Sequence, residues 1–83
     1  MPYVKPSARP FLDIIVSEME RYNIKANGDL NYILYAYCKR NVVPGYGNYK
    51  NFCGELRQCA TEIERRLLSS YEDEKIKENG DVK

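Results

Sequence analysis

An all-α fold is predicted: a small three-helix domain with a long third helix and a polar C-terminal segment. Three observations predict it. Wound at about 100° per residue, residues 49–71 (YKNFCGELRQCATEIERRLLSSY) put Tyr49, Phe52, Cys53, Leu56, Ala60, Ile63, Leu67 and Tyr71 on one stripe. Glu55, Gln58, Glu62 and Arg65 fall opposite. Two shorter segments, 7–22 and 30–40, repeat this periodicity. The stretches between them, NIKANGD and NVVPGYGN, hold Asn-Gly and Pro-Gly, which break it. With 83 residues the chain makes a single helical domain, 1–83.

The opening MPYVKP is read as extended, because each of its prolines biases the preceding residue away from the α region. Tyr3 and Val4 can pack back as an arm. Ser7 is the candidate cap of the first helix, 7–22, with Pro10 where no intrahelical donor is needed. Ala8, Leu12, Ile15, Val16, Met19 and Tyr22 form its stripe. Asn27-Gly28 supplies the next turn, and Asp29 is the expected N-cap of the second helix, 30–40. Leu30, Ile33, Leu34 and Tyr37 share its apolar side, Cys38 sits at the edge, and Lys39 and Arg40 suit its C-terminal dipole. Asn48 is the candidate cap of the third helix, 48–71, where Glu62 and Arg66 make a favourable i,i+4 pair. The upstream helices are expected to cover the stripe of the third. That helix is the longest, so part of it must project or pack on another chain, and a homo-oligomer is expected. Residues 72–83 (EDEKIKENGDVK) form a charged tail. It can continue the helix to Asn79 with Gly80 as the terminating residue, or turn at Asn79-Gly80 as a hairpin.

Composition removes several classes of function. The net charge of +1 gives no argument for nucleic acid or an anionic membrane as the main partner. No apolar run is long enough to span a membrane, and the start lacks the apolar core of a signal peptide. Three cysteines, Cys38, Cys53 and Cys59, form no CxxC pair. They are read as reduced, buried thiols of a cytoplasmic protein. Histidine is absent, which removes the commonest general base and transition-metal ligand. No catalytic residue, metal site or cofactor is expected.

Three stretches carry a resemblance: Pro2, Tyr3, Pro6, Arg9, Leu12 and Asp13; GDLNYxI from Gly28 to Ile33; and the block from Glu62 to Val82 that contains YEDEKIKENGDV. The chain resembles a family of small proteins of unknown function found in bacteriophages and prophage-bearing bacteria. Ser69-Ser70 stand where that family leads one to expect Ala-Pro, so the helix break expected there is softer. The resemblance implies no activity. It implies a phage-encoded setting, in which many proteins of this size bind and block a host component.

The residues left over by the helical stripes are the candidate binding site. Tyr32 and Tyr35 lie off the stripe of the second helix, beside Asn31, and suit a subunit contact or the stacking of a base. Arg65 and Arg66, with Arg57 two turns earlier, can grip phosphate, or be held by Glu62 and Glu64 as a solvated face. In the tail, Tyr71, Glu72, Asp73, Lys75, Asn79 and Asp81 suit hydrogen bonding to a polar ligand, or are a solvated helix end. Three consecutive acids at 72–74 point in different directions, so they do not read as a metal site. The expectation is a non-catalytic binding protein. One reading is an anti-defence sponge, an oligomer that sequesters a small nucleotide-like immune signal of the host. The other is a protein–protein interaction module that blocks or adapts a host or phage protein.

Overall fold

The computed structural model describes residues 4–82, and the expectations for Pro2 and Tyr3 lie outside them. The described residues are helical with no strand, as the periodicity predicts. They divide into two units, residues 1–39 and 40–83.

In the first unit a 3₁₀ turn, Pro6–Ala8, leads into α1, Arg9–Arg21. Ser7 lies inside that turn and Ala8 takes the N-cap position, with no side chain capping the helix. Ser7 is therefore not the cap that its residue type suggested. Pro10, in the first turn of the helix, already lacks one of the donors that a cap would satisfy. The other end is built with more care. Asn23 adopts a left-handed φ of 53°. Its amide donates to the Glu20 carbonyl at 3.0 Å, and the Ile24 amide donates to the Met19 carbonyl at 3.0 Å. This is a Schellman termination with asparagine in place of glycine, and Met19 and Ile24 line the same small hollow beside it.

Helix α2 spans Asp29–Asn41. Asp29 is its first residue rather than its cap; the Asn27 Oδ1 accepts from the Asp29 amide at 3.4 Å, and Gly28 takes φ 118°. Of the side the periodicity assigned to packing, Ile33, Leu34 and Cys38 are half-buried while Leu30 and Tyr37 are exposed, and Ala36 is half-buried on another side of the helix.

The second unit contains α3, Tyr46–Asn79, a continuous 34-residue helix about 51 Å long at 1.5 Å per residue. It comprises α turns Tyr46–Ile63, a π segment Glu64–Leu68, and α turns Ser69–Asn79. It starts two residues before the predicted position. Gly45 takes the N-cap position, while Asn48 caps nothing and donates its side-chain amide to the Val43 carbonyl at 3.0 Å. It also continues eight residues past the predicted end, so most of the charged tail is helix. Gly80, at φ 80°, ends it with an amide bond to the Ile76 carbonyl at 2.7 Å. Of the two forms open to the tail, the helix with a terminating glycine is adopted.

The π segment has a local cause. The Ser69 amide and the Ser69 hydroxyl both donate to the Glu64 carbonyl, the hydroxyl at 2.9 Å. An i→i−5 pair of donors on one carbonyl favours the wider turn. Ser70 donates its hydroxyl to the Arg66 carbonyl at 3.0 Å, so Ser69-Ser70 pass as unbroken helix.

Neither unit contains a buried described residue. Within the second unit the α3 stripe is open, with Leu56, Ile63, Leu67 and Tyr71 exposing 37%, 50%, 65% and 60% of their surface. Tyr22, Tyr37 and Tyr49, read as core-edge residues, are exposed as well. So are Cys53 and Cys59; Cys38 alone of the three thiols is half-buried. The amphipathic pattern locates the apolar faces correctly. It does not say that the partner of each face belongs to the same chain.

Candidate functional site

The predicted binding residues occupy two surfaces, one in each unit. On α2, Asn31 and Tyr35 are four residues apart and Tyr32 lies a quarter-turn away, so the three share one side of the helix. Tyr32 and Tyr35 each expose 67% of their surface. Both rings are open to a flat partner.

On α3 the two arginines converge on a single acid. Arg66 Nε lies 2.9 Å from Glu62 Oε2, and Arg65 reaches the same oxygen at 3.7 Å. Glu62 is the better covered of the three, while both guanidinium groups stay more than half exposed. One carboxylate cannot saturate two guanidinium forks, so donors remain for an anionic ligand.

Downstream, Tyr71, Lys75 and Asn79 follow at four-residue intervals and line one side of the helix, with Glu72 at the margin. The Lys75 ammonium sits 5.5 Å from the centre of the Tyr71 ring and 3.1 Å from Glu78 Oε2. Asp73 points to the opposite side. Asp81 follows the helix end, where its carboxylate accepts from the Val82 amide at 2.7 Å. The YED…ENGD block is thus split by the helix into a tyrosine–lysine–asparagine face, an opposed aspartate, and a terminal aspartate. Among the described residues, no three Asp, Glu or Cys side chains are grouped to hold a metal ion. None of the described helices is long and apolar enough to cross a membrane.

The open hollows are shallow. One lies beside Val42, Val43 and Phe52 at the start of α3, and none of the predicted binding residues lines it. The sequence reading missed two features of this unit: the π turn, whose signal is the hydroxyl of Ser69 five residues after Glu64, and the stacking of Lys50 over Tyr46 at 5.8 Å.

The fold and these surfaces define a small all-α protein that presents polar and aromatic helix faces. A family model described as a domain of unknown function (DUF6899) matches residues 1–82, and the chain belongs to that family. No curated protein and no solved structure matches the chain.

Proposed function

We propose that this is a non-catalytic, phage-type binding protein that works as a homo-oligomer and sequesters a small nucleotide-like signal of the host. The observation that carries this reading is the exposure of recognition groups that the fold does not use. Tyr32 and Tyr35 stand open on α2 beside Asn31, and Arg65 and Arg66 share one carboxylate on α3. In this reading the arginines hold phosphate and a tyrosine stacks the base. Asn31 and the polar residues of the 71–81 block read the ligand's edges. The open hollows beside Phe52 and beside Met19 are not lined by these residues, and in this reading a second copy helps to hold the cargo. The phage setting comes from the sequence resemblance. The lack of histidine, the commonest general base, supports binding without turnover.

A second reading has an observation of its own. The apolar side chains of both units are exposed, which also suits a module that blocks or adapts a host or phage protein through its helix faces. Native mass spectrometry of the protein purified from cells separates the two. An oligomer that retains extra mass, or gains it from a nucleotide panel, supports sequestration. The Arg66→Ala and Tyr32→Ala variants are then expected to lose that mass while keeping the oligomer. A ligand-free oligomer indifferent to the panel overturns sequestration and moves the reading to protein binding.

A further inference from the structure

The apolar stripe of α3 repeats with the spacing of a two-helix seam. From Tyr49 the steps are four, three, four, three and four residues to Leu67, the a/d alternation of a heptad. Tyr49, Leu56 and Ile63 are seven apart, and in the heptad frame of a supercoiled pair, about 3.5 residues per turn, the next d position is Ser70, a polar residue. The π segment absorbs one extra residue between Glu64 and Leu68, so the place falls to Tyr71 instead. The same insertion moves Glu72 into the flanking e position that follows it. The e positions along α3 then read Lys50, Arg57, Glu64, Glu72: basic in the first half, acidic in the second.

That gradient is complementary to its own reverse. We propose that α3 pairs with α3 of a second copy in antiparallel orientation, about a two-fold axis beside Thr61. Facing e positions meet in such a pair, setting Lys50 of one copy against Glu72 of the other and Arg57 against Glu64, twice each by symmetry. The core layers close in the same register: Cys53 against Tyr71, Leu56 against Leu67, and Ala60 against Ile63, with the small alanine near the axis where the backbones approach. A parallel pair is matched less fully: Arg57 and Glu64 then face the uncharged Phe52 and Cys59, and Glu72 meets an opposite charge at Arg66. None of the four charged side chains has an ion-pair partner among the described residues of its own chain. Covering Leu56, Ile63, Leu67 and Tyr71 at their present exposure, together with the exposed Cys53 and Ala60, removes on the order of 1,000 Å² over the two copies, at the lower end of specific interfaces. The inference deepens the oligomer of the proposed function and rests on that part of it alone. It assigns Tyr71 and Glu72 to self-pairing and leaves the ligand role to Asn31, Tyr32, Tyr35, Arg65, Arg66 and the remaining tail residues.

A charge-swap series tests it by light scattering and sedimentation, with no ligand present. The double variants Lys50→Glu/Arg57→Glu and Glu64→Lys/Glu72→Lys each turn all four facing pairs repulsive. Each is expected to weaken self-association by about a hundredfold. An equimolar mixture of the two is expected to recover pairing, and so is the quadruple variant, which restores every facing pair in reverse. Recovery on mixing also shows that the doubles failed by charge and not by misfolding. A wild-type chain that is monomeric or odd-numbered overturns the proposal, as do doubles that associate like wild type, or a mixture and a quadruple that do not recover. A ligand-free oligomer in native mass spectrometry overturns sequestration without touching this result.

Discussion

The sharpest consequence of the π turn concerns chain length. Deleting one residue from a helix rotates everything downstream by about 100°. Deleting Gln58, in the α-helical part of α3, turns Ile63, Leu67 and Tyr71 away from Tyr49, Cys53 and Leu56 by that angle. At a side-chain radius of about 5 Å the displacement is roughly 8 Å, well beyond the distance of about 4–4.5 Å over which apolar side chains touch. Deleting Leu68 acts in the opposite sense. It removes the residue that the π segment absorbs, and the helix closes to plain α geometry. Tyr71 then follows Ile63 by seven residues, a drift of only about 20° and less than 2 Å. The Leu68 deletion is thus expected to preserve the oligomer and the helical circular dichroism, and the Gln58 deletion to abolish the oligomer. Light scattering with far-ultraviolet circular dichroism reads both. Equal damage from the two deletions, or worse damage from losing Leu68, refutes the reasoning that the π turn keeps the stripe in line.

Other expectations follow from single features. Asn23→Ala, which puts an unsuited residue at a φ of 53°, is expected to cost about 1 kcal/mol in urea unfolding, whereas Asn23→Gly stays within a few tenths. A double-mutant cycle between Glu62 and Arg66 should give a coupling of about 0.3–0.5 kcal/mol that fades as salt is raised, because the pair is largely solvated. Thiol labelling followed by mass spectrometry should find Cys53 and Cys59 faster than the half-buried Cys38 in dilute protein. Concentrating the protein should slow Cys53 first, since it is the thiol that lies on the α3 stripe.

The helices were legible because their signals are local. Periodicity at 30–40 and 49–71 and the breakers Asn27-Gly28 and Pro44-Gly45 fix which segments are helical, and the structure agrees to within a few residues at most ends. The misplaced starts each have a local cause. Ser7, Asp29 and Asn48 have the chemistry of caps, but Pro10 lacks a donor in the first turn of α1, Asn27 Oδ1 accepts from the Asp29 amide, and the Asn48 side-chain amide is engaged by the Val43 carbonyl. The end of α3 was harder because its last turns carry little apolar periodicity. What sustains them are local pairs such as Lys75–Glu78 and Lys77–Glu74, which permit a helix without demanding one.

The π turn and the exposed faces were not legible, for different reasons. The π turn depends on whether the hydroxyl of Ser69 reaches back five residues or four, a choice worth a fraction of one hydrogen bond. Burial is a matter of partners, and periodicity carries no label for the chain that supplies them. A stripe of Leu56, Ile63 and Leu67 reads the same whether a neighbouring helix or a second copy covers it. The label lies instead in the flanking charges. Under the antiparallel pairing proposed above, Lys50 and Arg57 before the midpoint meet Glu72 and Glu64 after it, in register with the seam, and the π turn is what brings Glu72 into that register.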